Sequence, residues 1–567
     1  MQRISRRGFI AGLAGTGIIG PAGAAFAQTA AGSGRKAAGF LNILRPPDSV
    51  TGFLSLTEPI PMQRSGNDWS GGGLRVRATP EQDRLPIQLA AHGVAPAHIH
   101  LRWQTAVSGE PLILGDAWER SYGDLHWASI VPERVMPWYF LATDGDSLHG
   151  YGVQTGAAAL CFWQLDPMGL SLWIDVRNGG SGVELGDREM LAATVVSRQG
   201  RGGEDPLSAA RAFCRTMCPA PRPPLMVYGS NDWYYAYGHN TAEQIARDAE
   251  LMASLAPGAG PRPFTVVDDG WKNKQAFPDM AALASAIRSH HVRPGLWIRP
   301  LQAMPGTPAH LLLPDARFGR HTDRSAELAY DPTVPEAMEA VLAKVTQATG
   351  WGFELVKHDY STYDLLGQWG FEMGAEPTLP GWSLQDRTRT NAEIIRDLYA
   401  SIRRAAGVRT LLIGCNTVGH LGAGIFDAQR TGDDVSGRLW ERTRRMGVNT
   451  LAFRLPQHGA FFALDADCVP ITTETPWSCN RQWLDVLARS GTTLLVSPEP
   501  AAMGKDQRDA LREAFAIAAS AASAAVSTDW HRNTTPDEWK FNDSSARRTT
   551  GKNYDWYQNT GAWPFGL

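Results

Sequence analysis

Excess charge is the first thing this sequence lacks. Its 54 Lys and Arg against 57 Asp and Glu leave a net −3 over 567 residues, which gives no electrostatic footing for nucleic acid or an anionic membrane. Long apolar runs are missing as well. Beyond the first thirty residues nothing approaches the ~18 apolar residues needed to cross a bilayer, so no membrane partner is expected once a leader has been removed. Cysteine is scarce: Cys161, Cys214, Cys218, Cys415, Cys468 and Cys479 are not spaced as a disulfide scaffold. Cys214 and Cys218 stand one helical turn apart, but no His pair accompanies them at zinc spacing. His98 and His100 read as a surface pair on one face of a strand. No metal and no cofactor is expected. A Gly-rich dinucleotide fingerprint is also absent. Gly419-His420-Leu421-Gly422-Ala423-Gly424 follows a candidate fifth strand in the wrong register and reads as a flexible loop.

What is present divides the chain. Ser5-Arg6-Arg7-Gly8-Phe9-Ile10 is a twin-arginine pattern. A short Gly/Ala-rich apolar run follows and ends in Ala25-Phe26-Ala27, a small-x-small cleavage site. Residues 1–27 therefore read as a twin-arginine signal peptide, which implies a periplasmic or secreted protein. Residues 28–45 read as a linker. From 46 to 218 short alternating segments, such as Ala97–Trp103 and Leu170–Val176, are punctuated by Gly, Pro, Asp and Asn, the text of an antiparallel β-sandwich. Pro219–Pro224 is a Pro-rich hinge. From 219 to 525 strands alternate with helices, and Thr241-Ala242-Glu243-Gln244 is a capping-box opening. Eight strands are expected: Leu225–Gly229, Phe264–Asp268, Arg293–Arg299, Phe353–Asp359, Thr410–Cys415, Asp427–Asp433, Asn449–Leu455 and Thr492–Ser497. That repeat over roughly 300 residues predicts a (β/α)8 barrel, with a doubly wound open sheet as the alternative. Residues 526–567 form a short C-terminal extension that packs across the barrel or adds a few strands.

The chemistry is expected where barrels keep it, at the C-terminal ends of the strands. Those ends read Asn231-Asp232-Trp233, Asp268-Asp269-Gly270-Trp271, Lys357-His358-Asp359-Tyr360, Gly414-Cys415-Asn416 and Arg430-Thr431-Gly432-Asp433-Asp434. Singly each has a plainer meaning: Asp-Asp-Gly is a common turn, and tryptophan fills cores. Together, polar groups beside aromatics at successive tips suit a sugar, whose hydroxyls need carboxylates and amides and whose ring face needs an apolar partner. Two carboxylates flanking a glycosidic bond are the requirement for its cleavage. Asp359 is the candidate nucleophile, with Lys357 beside it favouring the ionised form. Asp433 is the candidate acid/base, with Asp434 its like-charged neighbour and Arg430 close by. Asp433 stands two β/α units after Asp359, which allows the ~5–5.5 Å separation of a retaining enzyme. Trp233, Asp268, Asp269, Trp271, Lys357, Cys415, Asn416, Arg430 and Asp434 are the expected substrate-binding residues.

These motifs resemble glycoside hydrolase clan D, the α-galactosidase and raffinose-synthase group, and most of all its family 36. The likeness covers roughly residues 225–500 well and the preceding β-domain more loosely. The family's Asn-Asn-Trp element is similar to Asn231-Asp232-Trp233, its Asp-Asp-Gly-Trp to Asp268–Trp271 and its Lys-x-Asp nucleophile motif to Lys357-His358-Asp359. Its Arg-x-Ser-Asp or Thr-Gly-Asp acid/base element resembles Arg430-Thr431-Gly432-Asp433, and its Asn-Asp-Pro-Asp-Cys stretch resembles Asp465-Ala466-Asp467-Cys468. The spacing of family 27 members would instead put the acid/base on Asp434. The resemblance implies a β-supersandwich before the barrel, no metal, and a covalent glycosyl-aspartate intermediate. It also implies terminal α-galactose as the sugar, its hydroxyls held by Asp268 and Asp269. Where family members often carry Cys-Ser and a glycine run, this chain has Cys415-Asn416-Thr417. That loop reads the sugar's second carbon, so α-N-acetylgalactosamine and β-L-arabinopyranose stand as alternatives. A raffinose-synthase-type transglycosylase and a non-catalytic sugar-binding protein are the competing functions, and self-association is left open.

Overall fold

The computed structural model describes residues 39–563, apart from 224, 259, 321–326, 521–522, 544–547 and 559. The twin-arginine leader and the first part of the linker lie outside the described residues. The remainder of that linker is packed: Leu41 and Ile43 are buried, and the Leu41 N–H donates to the Tyr151 hydroxyl at 2.8 Å. Among the described residues no helix is long and apolar enough to cross a membrane.

Residues 49–198 form two antiparallel sheets, of six and eight strands. The alternation read at Ala97–Trp103 becomes the strand His98–Gln104, which pairs with Ser49–Phe53 on one side and Gly169–Asp175 on the other. His98 does not lie on the surface. It is buried 3.7 Å from Asp175, and the His100 ring stacks on Trp173 at 4.3 Å. Strand period two puts both on one face, and that face is covered. All six cysteines are unpaired and buried. The helix Pro206–Met217 then leads into the barrel.

The barrel closes from eight parallel strands in chain order: β1 (Tyr228–Asn231), β2 (Phe264–Val267), β3 (Arg293–Ile298), β4 (Leu355–His358), β5 (Leu411–Gly414), β6 (Ala428–Arg430), β7 (Ala463–Ile471) and β8 (Thr493–Pro498). The intervening helices start where the side chains satisfy free backbone donors. Thr241 accepts from the Gln244 N–H, and Thr390 and Glu393 form a full capping box before Asn391–Ala406.

The seventh strand is a correction. Asn449–Leu455 is helical, with a π-turn over Arg444–Asn449 running into Thr450–Arg454. The strand is Ala463–Ile471, bulged between Asp465 and Cys468. Two carboxylates interrupt its apolar text, while the helix is buried on all sides and shows no polar face. The Gly419–Gly424 segment is not a flexible loop either. It begins with a helical turn, and His420 within it is buried and stacked on Trp138 at 4.5 Å.

The Pro-rich connection is not a hinge between loose bodies. Within the connection Arg222 pairs with Asp427 at 2.7 Å, and across the domain boundary Arg454 pairs with Asp116 at 2.8 Å. Asn178 Nδ2 donates to the carbonyls of Asp386 and Arg389, each at 2.8 Å. The C-terminal extension adds a three-stranded antiparallel sheet, Ser523–Ser527, Glu538–Asp543 and Arg548–Asn553. Its Trp539 and Trp556 are buried.

Candidate active site

Strand alternation at the end of β4 sends Lys357 and Asp359 to the barrel interior and His358 outward, where it packs edge-on against Tyr399 and Phe426. Asp359 is buried and held from three sides. Trp297 Nε1, at the end of β3, donates to Oδ2 at 2.9 Å; the backbone N–H groups of Tyr360 and Asn416 donate to Oδ1 at 2.8 and 3.0 Å. Tyr360 adopts a left-handed φ of 67° to turn the chain there. Burial works to raise the Asp359 carboxyl. The Arg120 guanidinium and then Lys357 outweigh it, so Asp359 lies below its ordinary range and is held ionised.

Lys357 is therefore not the foremost charge on Asp359. Its Nζ pairs at 2.7 Å with Asp268 at the end of β2, and Asp268 also accepts from Asn231 Nδ2 at 2.9 Å. Despite burial, Asp268 holds the Lys357 ammonium above its usual range. Asp232, beside it, accepts the Asp268 N–H at 2.7 Å and is pushed up to about 8 by burial and by the Asp268 charge. Asp269 accepts its hydrogen bond from the Gly270 N–H. Trp271 is half-buried with its Nε1 donating to the Trp297 carbonyl, and Trp233 stands edge-on to Tyr237.

At the end of β5 the Cys415 thiol is buried among Arg430, Asp359 and Lys357, and burial raises it. The Asn416 side chain is engaged internally: its amide nitrogen donates to Glu119, and its oxygen accepts the Tyr363 N–H at 3.1 Å.

At the end of β6 Arg430 is buried and spans Asp467 at 2.9 Å and Asp434 at 3.3 Å. Asp467 sits in the β7 bulge with a left-handed φ of 71° and also accepts from the Tyr234 hydroxyl. The two adjacent acids differ. Asp433 has a guanidinium on each oxygen, Arg120 at 2.9 Å and Arg442 at 2.5 Å. Asp434 meets Arg430 and, at 3.8 Å, Arg120, and its negative charge acts on Asp359 and on the Tyr234 phenol.

Sequence reasoning missed Glu119, Arg120 and Tyr122, which reach the barrel mouth from the β-sandwich. Ser121 bridges in parallel to Gly432: its N–H donates to the Thr431 carbonyl and its own carbonyl accepts from the Asp433 N–H, both at 2.9 Å. Glu119 is buried, accepts from the Tyr122 hydroxyl at 2.6 Å and the Gly370 N–H at 3.1 Å, and is pushed by burial to about 7. Arg120 lies under the rings of Tyr122 and Trp369, 5.8 Å from each. No local signal marks this loop. Asp467 and Trp297 were within reach, Asp467 from its place in the 465–468 motif and Trp297 from its position at a strand end.

No family model matches the sequence, and no curated protein matches it. Solved structures do. An α-galactosidase from Thermus thermophilus, TtGalA, is 16% identical with a TM-score of 0.57, the match covering 87% of this chain and 99% of that one. The GH36 α-galactosidase AgaB from Geobacillus stearothermophilus is 12% identical with a TM-score of 0.57 over 87% of this chain and 78% of its own. An α-galactosidase from Lactobacillus brevis is 12% identical with a TM-score of 0.55 over 87% and 74%. This chain has the sandwich-and-barrel fold of the GH36 α-galactosidases.

Proposed function

We propose that the protein is a retaining glycoside hydrolase that releases terminal α-linked galactose. The observation that carries the reading is Asp359. It is an ionised carboxylate at the end of a barrel strand, immobilised by Trp297 and two backbone donors and within range of the Asp434 charge just past β6. In the reaction Asp359 attacks the anomeric carbon and a β6 acid protonates the departing oxygen. The same acid then takes a proton from the water that hydrolyses the glycosyl-aspartate. We assign the acid/base role to Asp434. Both oxygens of Asp433 are covered by guanidinium groups, and the Asp434 charge acts on Asp359. Asp268, anchored by Lys357 and Asn231, is the carboxylate we assign to accept hydrogen bonds from sugar hydroxyls.

The choice of sugar leans on the structural neighbours. The Thermus enzyme has been solved with p-nitrophenyl α-D-galactopyranoside and with stachyose, and a Geobacillus relative with raffinose. The test is a panel of p-nitrophenyl glycosides, α- and β-galactoside, α-N-acetylgalactosaminide and β-L-arabinopyranoside, with proton NMR of the fresh product. The α-galactoside should be hydrolysed fastest and the α-anomer should appear first. An initial β-anomer would remove the covalent mechanism. The twin-arginine pattern at Ser5–Ile10 supports export, and cell fractionation should find the protein outside the cytoplasm.

A further inference from the structure

Two charged side chains from the β-sandwich stand inside the barrel mouth, where beyond Tyr122 of their own loop they meet residues of the barrel. The Arg120 guanidinium meets Asp433 at 2.9 Å and Asp434 at 3.8 Å. It is also the leading favourable charge on Asp359. Beside it, Glu119 accepts from the Asn416 side chain, and the Asn416 backbone N–H is one of the donors that hold Asp359. The Ser121–Gly432 bridge fixes the loop against the β6 tip. Gly370, at φ 56°, lets the Tyr122 ring lie against the backbone of the neighbouring turn, since a Cβ there would stand 2.8 Å from that ring. A buried guanidinium and a buried carboxyl are expensive to place unless paired. Both are paired with residues flanking the two proposed catalytic acids.

We propose that Arg120 and Glu119 are positioning residues of the glycosidase site. Arg120 holds the Asp433–Asp434 turn so that Asp434 faces Asp359, and Glu119 holds Asn416 so that Asn416 holds Asp359. This rests on the reading above. The reaction centre is then shared between two domains, although both proposed catalytic acids come from the barrel.

The pH profile separates this role from simple packing. The groups facing Arg120 are Asp433 and Asp434 from β6, Cys415 from β5, Asp359 from β4, and Glu119 and Tyr122 from its own loop. Those facing Asp359 are Arg120, Lys357, Asp434 and Cys415, while His358, next to it in the chain, points outward. Because Asp359 is held below its ordinary range, activity is retained on the acid side until the pH falls through that lowered value. Removing Arg120 raises it, so the acid limb of kcat/KM moves to higher pH. In the full-length protein, Arg120→Met should lower kcat on p-nitrophenyl α-galactoside by about 100-fold with KM little changed, and should shift that limb upward. Arg120→Lys should restore part of both. Glu119→Gln keeps the shape and should lower kcat with a smaller shift.

A second arm needs no substrate. Amide hydrogen exchange in Arg120→Met should quicken at residues 415–418 and 431–436 and stay unchanged in β1 and β2. A folded Arg120→Met variant with kcat within about twofold of the parent and an unmoved acid limb would overturn the proposal. Unchanged exchange at those two segments would overturn it as well. If the unaltered protein cleaves none of the glycosides, the glycosidase reading falls, and the exchange arm still decides whether this loop positions the two tips.

Discussion

Asp433 and Asp434 are adjacent in the chain yet differ in what they can do. A general acid needs an oxygen that a leaving group can reach, and typically contributes about 10²–10⁴-fold. Arg120 and Arg442 occupy the two oxygens of Asp433. Asp434→Asn should therefore abolish most turnover of an oligosaccharide such as raffinose while sparing an aryl galactoside, whose leaving group needs little protonation. Asp433→Asn should slow both substrates alike, through loss of position. Steady-state rates of the two variants on the two substrates check this, and a leaving-group dependence in Asp433→Asn instead would return the acid role to it. From sequence Asp433 was the candidate, with Asp434 the alternative given by family 27 spacing. What separates them is a guanidinium contributed by another domain, and Ser121, next to that arginine, bonds to Thr431 across 310 positions of chain.

At the scale of the element, the β6 tip is closely backed by the helix behind it. A Cβ on Gly432 would stand 2.2 Å from the Met446 carbonyl oxygen and 2.7 Å from Thr450 Oγ1. Gly432→Ala must push the tip away from the helix behind it, costing about 1–3 kcal/mol and loosening the Ser121 bridge. Thermal unfolding should show the loss, and activity should fall further than stability alone explains. Strands β2 to β5 were legible because each is an apolar run that opens onto polar residues, the pattern of a covered parallel strand at a cleft; β1 runs Tyr228–Asn231, later than the expected Leu225–Gly229, and β6 is shorter than expected. β7 was not legible, since Asp465 and Asp467 lie within it, and what makes them tolerable is Arg430 on the neighbouring strand. Local text cannot show that pairing. The apolar Thr450–Arg454 segment drew the strand assignment because nothing in its composition says that the protein surrounds it.

At the scale of the whole molecule, the buried titratable groups set how stability follows pH. Burial lifts Glu119 and Asp248 to about 7 and Asp232 to about 8. Between their unfolded values near 4 and these folded ones, the folded state binds more protons, so stability falls as pH rises through that window. His358 and His420, at about 3, and His100 and His458, at about 4, act oppositely, but only up to the unfolded value near 6.5. Above it the acids dominate, opposed by Lys344, which burial lowers to about 7. From about pH 8.5 the buried cysteines, all raised, extend the decline. The melting temperature should therefore be lower at pH 8.5 than at pH 6.5, and calorimetry across that range checks it. A rise over the same interval would show that these carboxyls are not protonated in the folded protein.

The Ser121–Gly432 bridge also orders events in time. On the ribosome the sandwich emerges first, and its loop then waits about 310 residues for its partner at Thr431, roughly 15–60 s at ordinary synthesis rates of ~5–20 residues per second. Until then Glu119 and Arg120 have Tyr122 of their own loop but none of their barrel partners. A chain stalled between β4 and β6 carries Asp359 but neither acid of the β6 tip, so the two proposed catalytic acids first stand in one chain after residue 434 has been made.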